Sequence, residues 1–204
     1  MDDSYYHLIK HVFDNTSEQA NSLIGETQYE KSNRVVKKDG GYKCIHLNVM
    51  TFIEELNFII KHFNWTPKQI RKLTFLDIGC GVGQKVYLAG VFGFNAYGLE
   101  LRQPLIDAGK SLFSELSNWE ARDRLIQGNA LEFSNYNNYD ILYFYCPLFN
   151  HELETKMEQR IVDTVTKSGT IVIANLSMLF GQIKVPGWKV IKRFNSHSAI
   201  FQKI

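Results

Sequence analysis

The segment Phe75-Leu76-Asp77-Ile78-Gly79-Cys80-Gly81-Val82-Gly83 constrains the fold more than any other part of the chain. A short apolar run ends at an acid, three glycines follow at alternate positions, and a helical pattern starts at Gln84. This spacing predicts a strand, a tight turn and a helix. Glycine permits the sharp reversal and lets a ligand approach main-chain atoms with no Cβ in the way, which is the geometry of a nucleotide site. The third glycine comes one residue too early for the dinucleotide pattern Gly-x-Gly-x-x-Gly, and no Gly-Lys-Ser/Thr follows to make a P-loop.

The surrounding pattern repeats the same unit. Short apolar runs at Leu73–Ile78, Ala96–Leu101, Leu125–Gln127, Tyr139–Tyr145 and Thr170–Leu176 alternate with helical stretches at Gln84–Val91, Pro104–Leu116 and His151–Thr166. Such alternation predicts βα units around a parallel sheet. The last two runs, Trp188–Phe194 and Ser198–Ile204, are separated only by Asn195–His197, too short for a parallel crossover, so the chain is expected to close with an antiparallel hairpin.

Before the first strand the texture is helical or loop-like. Tyr5, Leu8, Ile9, Val12 and Phe13 recur at helical spacing, and a second helix is expected at Ser17–Leu23. Residues 25–42 are polar, hold the breaker Asp39-Gly40-Gly41, and carry the basic residues Lys31, Arg34, Lys37 and Lys38, with Lys43 just beyond, which favours a solvated connection. A helix is predicted from Val49 to Phe63 with Phe52, Leu56, Ile59 and Phe63 on one side, and Thr66-Pro67 reads as an N-cap with proline at N1. We therefore expect a cap over residues 1–45 and a ligand-binding domain over 46–204. The cap would lie as a lid over the carboxyl ends of the strands, where crevices bind ligands.

Composition narrows the class. The 204 residues suit one domain with an elaboration, and 45% hydrophobic residues can fill its core. The net charge of +2 does not mark the molecule as a polyanion binder. Cys44, Cys80 and Cys146 lack metal or redox spacing and suit reduced thiols. The acidic start Met1-Asp2-Asp3-Ser4 and the lack of an apolar run near about 18 residues predict a cytoplasmic protein with no membrane span.

A second acid supports the glycine turn. Glu100 ends the next predicted strand, where a carboxylate can accept both hydroxyls of a ribose. Together Asp77-x-Gly79-x-Gly81-x-Gly83 and Glu100 resemble the class I, Rossmann-like S-adenosylmethionine-dependent methyltransferases, over roughly residues 45 to 204. The resemblance implies a doubly wound, mostly parallel seven-stranded α/β sheet with a C-terminal antiparallel hairpin, and S-adenosylmethionine as cofactor. Carried over by position, Gly79, Cys80, Gly81 and Gly83 would pass the methionine part, Asp77 would support its ammonium group, and Glu100, with Leu101 beside it, would take the ribose. Asn129 and Ala130, in Gln127-Gly128-Asn129-Ala130-Leu131, resemble the family's Gly-Asp-Ala segment beside the adenine, with an amide in place of the acid.

The fourth strand ends in Tyr145-Cys146-Pro147-Leu148-Phe149, where the family's acceptor usually lies. It resembles only loosely the Asp/Asn-Pro-Pro-aromatic loop of nucleic-acid amino methylases, having one proline and no leading acid or amide. Tyr145 would wall the cofactor pocket, as aromatic faces suit a sulfonium, and Pro147 and Phe149 would face the acceptor. His151-Glu152 lacks the second histidine of a zinc helix and reads as a helix start, so no metal is expected. Cys80 sits at a helix N-terminus, inside a turn that favours packing over thiol chemistry. No catalytic side chain is assigned, because in-line methyl transfer draws much of its acceleration from alignment. A small molecule or a protein side chain is favoured as acceptor over nucleic acid. A cofactor-binding protein without catalysis and a nicotinamide-dependent oxidoreductase are the alternatives.

Overall fold

The computed structural model describes residues 49–114, 124–148, 150–181, 184–195 and 198–204. The expected helices before residue 25, the basic stretch, the 1–45 cap with its lid role, Cys44 and Phe149 lie outside them. The first described helix, α1 (Val49–His62), turns Phe52, Ile53, Leu56 and Ile59 inward, each worth about 1.5–3 kcal/mol of burial. It ends in a Schellman turn. Asn64 takes a left-handed φ of 52°, and the Trp65 and Asn64 N–H groups donate to the Ile60 and Lys61 carbonyls. Thr66 then caps α2 (Pro67–Ile70) through a capping box with Gln69, with proline at the helix start as expected.

The βα units follow as the sequence pattern predicts: β1 (Thr74–Ile78), α3 (Gln84–Val91), β2 (Asn95–Glu100), α4 (Gln103–Ser114), β3 (Leu125–Gln127), β4 (Ile141–Tyr145), α5 (His151–Thr164) and β5 (Ile171–Asn175). β6 (Trp188–Arg193) and β7 (Ser198–Lys203) close the chain as an antiparallel pair. β4 and α5 are each two residues shorter than their sequence patterns. Asp140 accepts the Thr74 N–H and hydroxyl ahead of β4, and α5 stops at Thr164 because the Thr166 and Lys167 N–H groups turn to the Asn137 side-chain Oδ1.

The seven strands lie in the order β3-β2-β1-β4-β5-β7-β6, with β1 to β5 parallel and β7 antiparallel to both neighbours. This is the Rossmann-like methyltransferase arrangement expected above, and it differs from the 3-2-1-4-5-6 order of dinucleotide-binding sheets. Both faces are covered. Phe75, Ile141, Tyr143, Ile171, Ile173 and Ile200 pack beneath α1 and α3, while Leu76, Leu142, Phe144, Val172 and Phe201 pack on the other face with Met157 and Ile161 of α5. No helix among the described residues is long and apolar enough to cross a membrane.

Candidate cofactor site at the carboxyl edge of the sheet

The β1–α3 turn is built from left-handed glycines, with φ of 76° at Gly79, 58° at Gly81 and 84° at Gly83. L side chains rarely adopt these values, so the alternation of glycines is a backbone requirement. The turn is tied to β2: the Gly79 and Cys80 N–H groups both donate to the Leu99 carbonyl, at 2.8 and 3.1 Å. Gly83 caps α3 with no side-chain acceptor. The absent side chains also make room for the protein itself, since a Cβ on Gly79 would collide with Pro147 and one on Gly83 would meet Leu125 at 2.8 Å.

Glu100 leaves the end of β2 and turns back to this loop. Its Oε2 accepts the Gly81 N–H at 3.0 Å, and its Oε1 accepts the Arg102 N–H at 3.0 Å with the Arg102 Nε 3.6 Å away. The carboxylate is buried, yet an ionised carboxylate has about four lone-pair sites, so acceptor capacity is left over. Arg102 was not legible as part of this arrangement; its only sequence signal is a cation two residues after a strand-end acid.

Asp77 is buried at the root of the turn, and its Oδ2 has no hydrogen-bond partner among the described residues. Burial pushes its carboxyl up to about 6, against the pull of Lys85 and with a push from Glu100. Cys80 is a packing residue. A side chain on Gly98 would strike its Sγ, and burial, then Asp77 and Glu100, raise its thiol well above the ordinary value.

Leu101 follows Glu100 in a bend and is half-buried. At the end of β3, the Asn129 Oδ1 accepts the Leu131 N–H at 3.0 Å and its Nδ2 donates to Glu132 at 3.3 Å, while the Ala130 carbonyl accepts the Tyr136 hydroxyl at 2.7 Å. On the far side of β1, Tyr145 ends β4 half-buried, and Cys146 beyond it has a left-handed φ of 40°. That twist sends Pro147 onto Gly79. Leu148 is held by its N–H, which donates to the Glu154 Oε2 of α5 at 3.1 Å. His151 opens α5 behind an Asn150 N-cap, and no cluster of potential metal ligands occurs among the described residues.

Sequence reasoning missed a second group of buried polar residues on the same sheet edge. Glu55 of α1, Tyr143 of β4 and Asn175 of β5 are fully buried, Tyr143 is the β4 register partner of Asp77, and the Asn175 Nδ2 donates to the Glu55 Oε2 at 3.3 Å. Signals were present: Glu55 falls inside the apolar stripe of α1, three residues after Phe52, and Asn175 ends an otherwise apolar strand.

No family model and no curated protein matches the sequence. Solved structures do match in shape. An RNA methyltransferase from Salinibacter ruber, in complex with S-adenosyl-L-homocysteine, has a TM-score of 0.52 at 13% identity, covering 78% of this chain and 92% of its own. Magnesium protoporphyrin IX methyltransferase from Synechocystis PCC 6803, with bound S-adenosylmethionine, has a TM-score of 0.57 at 13% identity, covering 89% and 92%. With its strand order and terminal hairpin, this chain has the Rossmann-like fold of the class I S-adenosylmethionine-dependent methyltransferases.

Proposed function

We propose that this protein is an S-adenosylmethionine-dependent methyltransferase acting on a small molecule or a protein side chain. The observation that carries the reading is the closure of the glycine turn by Glu100 through the Gly81 N–H, which sets a ribose-binding acid against a ligand-approachable backbone. Structures of this fold with bound S-adenosylmethionine or S-adenosyl-L-homocysteine support the choice of cofactor.

When bound, the cofactor supplies an electrophilic methyl group on a sulfonium. The residues of this chain bind and align. Glu100 accepts the ribose hydroxyls with the lone pairs that Gly81 and Arg102 leave over, and the fixed loop orients the sugar. Asp77 supplies an unpaired carboxylate oxygen toward the ammonium group. Asn129 and Ala130 stand at the adenine end, and Tyr145 gives an aromatic wall suited to a cation. Pro147 belongs to the acceptor side. A near-neutral net charge of +2 favours an acceptor other than nucleic acid, although relatives in fold include an enzyme for RNA as well as one for a porphyrin.

Calorimetric titration with S-adenosylmethionine, S-adenosyl-L-homocysteine, NAD and NADP tests the cofactor. The adenosyl sulfonium and its thioether product should bind and the dinucleotides should not; the reverse order defeats the proposal. Methyl incorporation from labelled cofactor into metabolite, protein and RNA fractions then tests turnover and acceptor class.

A further inference from the structure

Lys85 is a cation placed where stability alone would not put one. It is the second residue of α3, and a helix N-terminus carries partial positive charge on its unpaired N–H groups, which favours acids there and disfavours lysine. No acid in the first turn of α3 offsets it. The side chain is half-buried, so it does not simply extend into water. Among the described residues its ammonium makes no hydrogen bond and no ion pair. Its Nζ lies instead 5.7 Å from the centroid of the Tyr143 ring, whose negative face suits a cation.

That ring fixes where the cation stands. Tyr143 of β4 is the register partner of Asp77 of β1, and the odd-numbered residues of both strands share the face that carries Phe75 and Ile141. Asp77 lies two residues before Gly79 and Lys85 two residues after Gly83. An acid and a cation therefore bracket the glycine turn in the chain and meet at the β1–β4 boundary in space. The field of Lys85 reaches Asp77 and Cys80, yet the two charges are not paired, and Asp77 Oδ2 has no partner among the described residues. Arg102, a second cation near the turn, is placed at the ribose acid, its Nε 3.6 Å from the Glu100 Oε1.

An unpaired acid and an unpaired cation at one boundary match a zwitterion. The amino-acid end of the cofactor carries an ammonium and a carboxylate on the same carbon, so a pocket that holds it meets both charges. Asp77 answers only the ammonium, and without a cation nearby it would repel the carboxylate. A lysine ammonium offers three donors, and the N-terminal end of α3 adds its positive pole. We propose that Lys85 grips the α-carboxylate of the cofactor. The inference rests on the proposed cofactor and adds a residue of α3 to the site expected from β1 and β2. It also accounts for a lysine set against the helix dipole, because a bound anion offsets both positive charges at once.

The test uses two ligands that differ by the carboxylate alone: S-adenosylmethionine and decarboxylated S-adenosylmethionine, which keeps the sulfonium and the ammonium. Titrated calorimetrically into full-length protein, wild type should bind S-adenosylmethionine about tenfold or more tighter than the decarboxylated compound. Lys85→Met should weaken S-adenosylmethionine by about tenfold or more and leave the decarboxylated compound within about twofold, so that the preference disappears. Binding of the decarboxylated compound by this variant also shows that it is folded. Lys85→Arg, which restores the charge, should recover most of the preference. Equal affinity of wild type for the two ligands overturns the proposal, and so does a Lys85→Met protein that keeps the full preference. An equal loss of both ligands in Lys85→Met overturns it too, since that would mark Lys85 as structural. Failure of the wild type to bind either ligand would defeat the cofactor reading itself, whereas a Lys85→Met protein indistinguishable from wild type removes only the carboxylate grip.

Discussion

The Glu100 carboxylate accepts the backbone N–H of Gly81 at 3.0 Å, although the two residues lie nineteen positions apart and on different βα units. The bond fixes the middle of the glycine turn from the neighbouring strand, and it places a carboxylate where a ribose would meet the loop. Glu100→Ala should therefore lower affinity for S-adenosylmethionine by about 100-fold, and Glu100→Gln, which keeps one acceptor, by about tenfold. Isothermal titration of the two variants against wild type checks the order; equal affinity in all three would remove Glu100 from the site.

Gly79 and Gly169 separate two reasons for glycine. Both have left-handed backbones, with φ of 76° and 85°, but a Cβ on Gly79 runs into Pro147 while one on Gly169 meets nothing within 4 Å. Gly169→Ala should cost about 1 kcal/mol from backbone strain alone, and Gly79→Ala about 2 kcal/mol or more because the Pro147 segment must also move. Urea denaturation of both variants measures the difference. Identical losses would mean that Pro147 yields freely.

Glu158 of α5 holds the segment after β5. Its carboxylate accepts the Ser177 hydroxyl at 2.6 Å and the N–H groups of Met178, Leu179 and Phe180 at 2.7–2.8 Å. Glu158→Ala strands these donors and should destabilise the protein by about 3 kcal/mol or more, lowering the melting temperature by about 6–12 °C. Hydrogen exchange should quicken first at residues 177–181. Unchanged protection there would show that the segment is held by its apolar contacts instead.

Glu154, one turn before Glu158, is the group whose titration should be visible in stability. Burial, with Glu158 adding to it and the Leu148 N–H opposing, raises its carboxyl from 4.5 to about 8. The folded protein thus keeps a proton that the unfolded chain releases, so this group's contribution to stability is largest below about pH 4.5 and declines as pH rises to about 8. Glu154→Gln keeps an acceptor for Leu148 and removes the titration. Denaturation at pH 5, 6.5 and 8 should show the variant gaining on wild type at each step; a constant gap would mean that Glu154 is ionised throughout.

Much of the site was legible because its signals are local. A run of five residues, an acid, and glycines at alternate positions state strand, turn and helix without reference to the rest of the chain, and β1, α3 and the Glu100 strand end fall where that pattern puts them. The polar cluster under α1 was not legible for the opposite reason. Glu55, Tyr143 and Asn175 each look like an isolated exception in an apolar element until strand pairing brings them together.

The sequence by itself thus determined the order of βα units, the antiparallel close and the glycine turn, since hydrophobic period and glycine's backbone freedom act over a few residues. Only the tertiary structure decided what surrounds that turn: that Pro147 fills the space at Gly79, that Glu100 fastens Gly81, and that Tyr143 comes beside Asp77. Strand order and register set those meetings, and they depend on the packing of both faces of the sheet at once, which no short stretch of chain encodes.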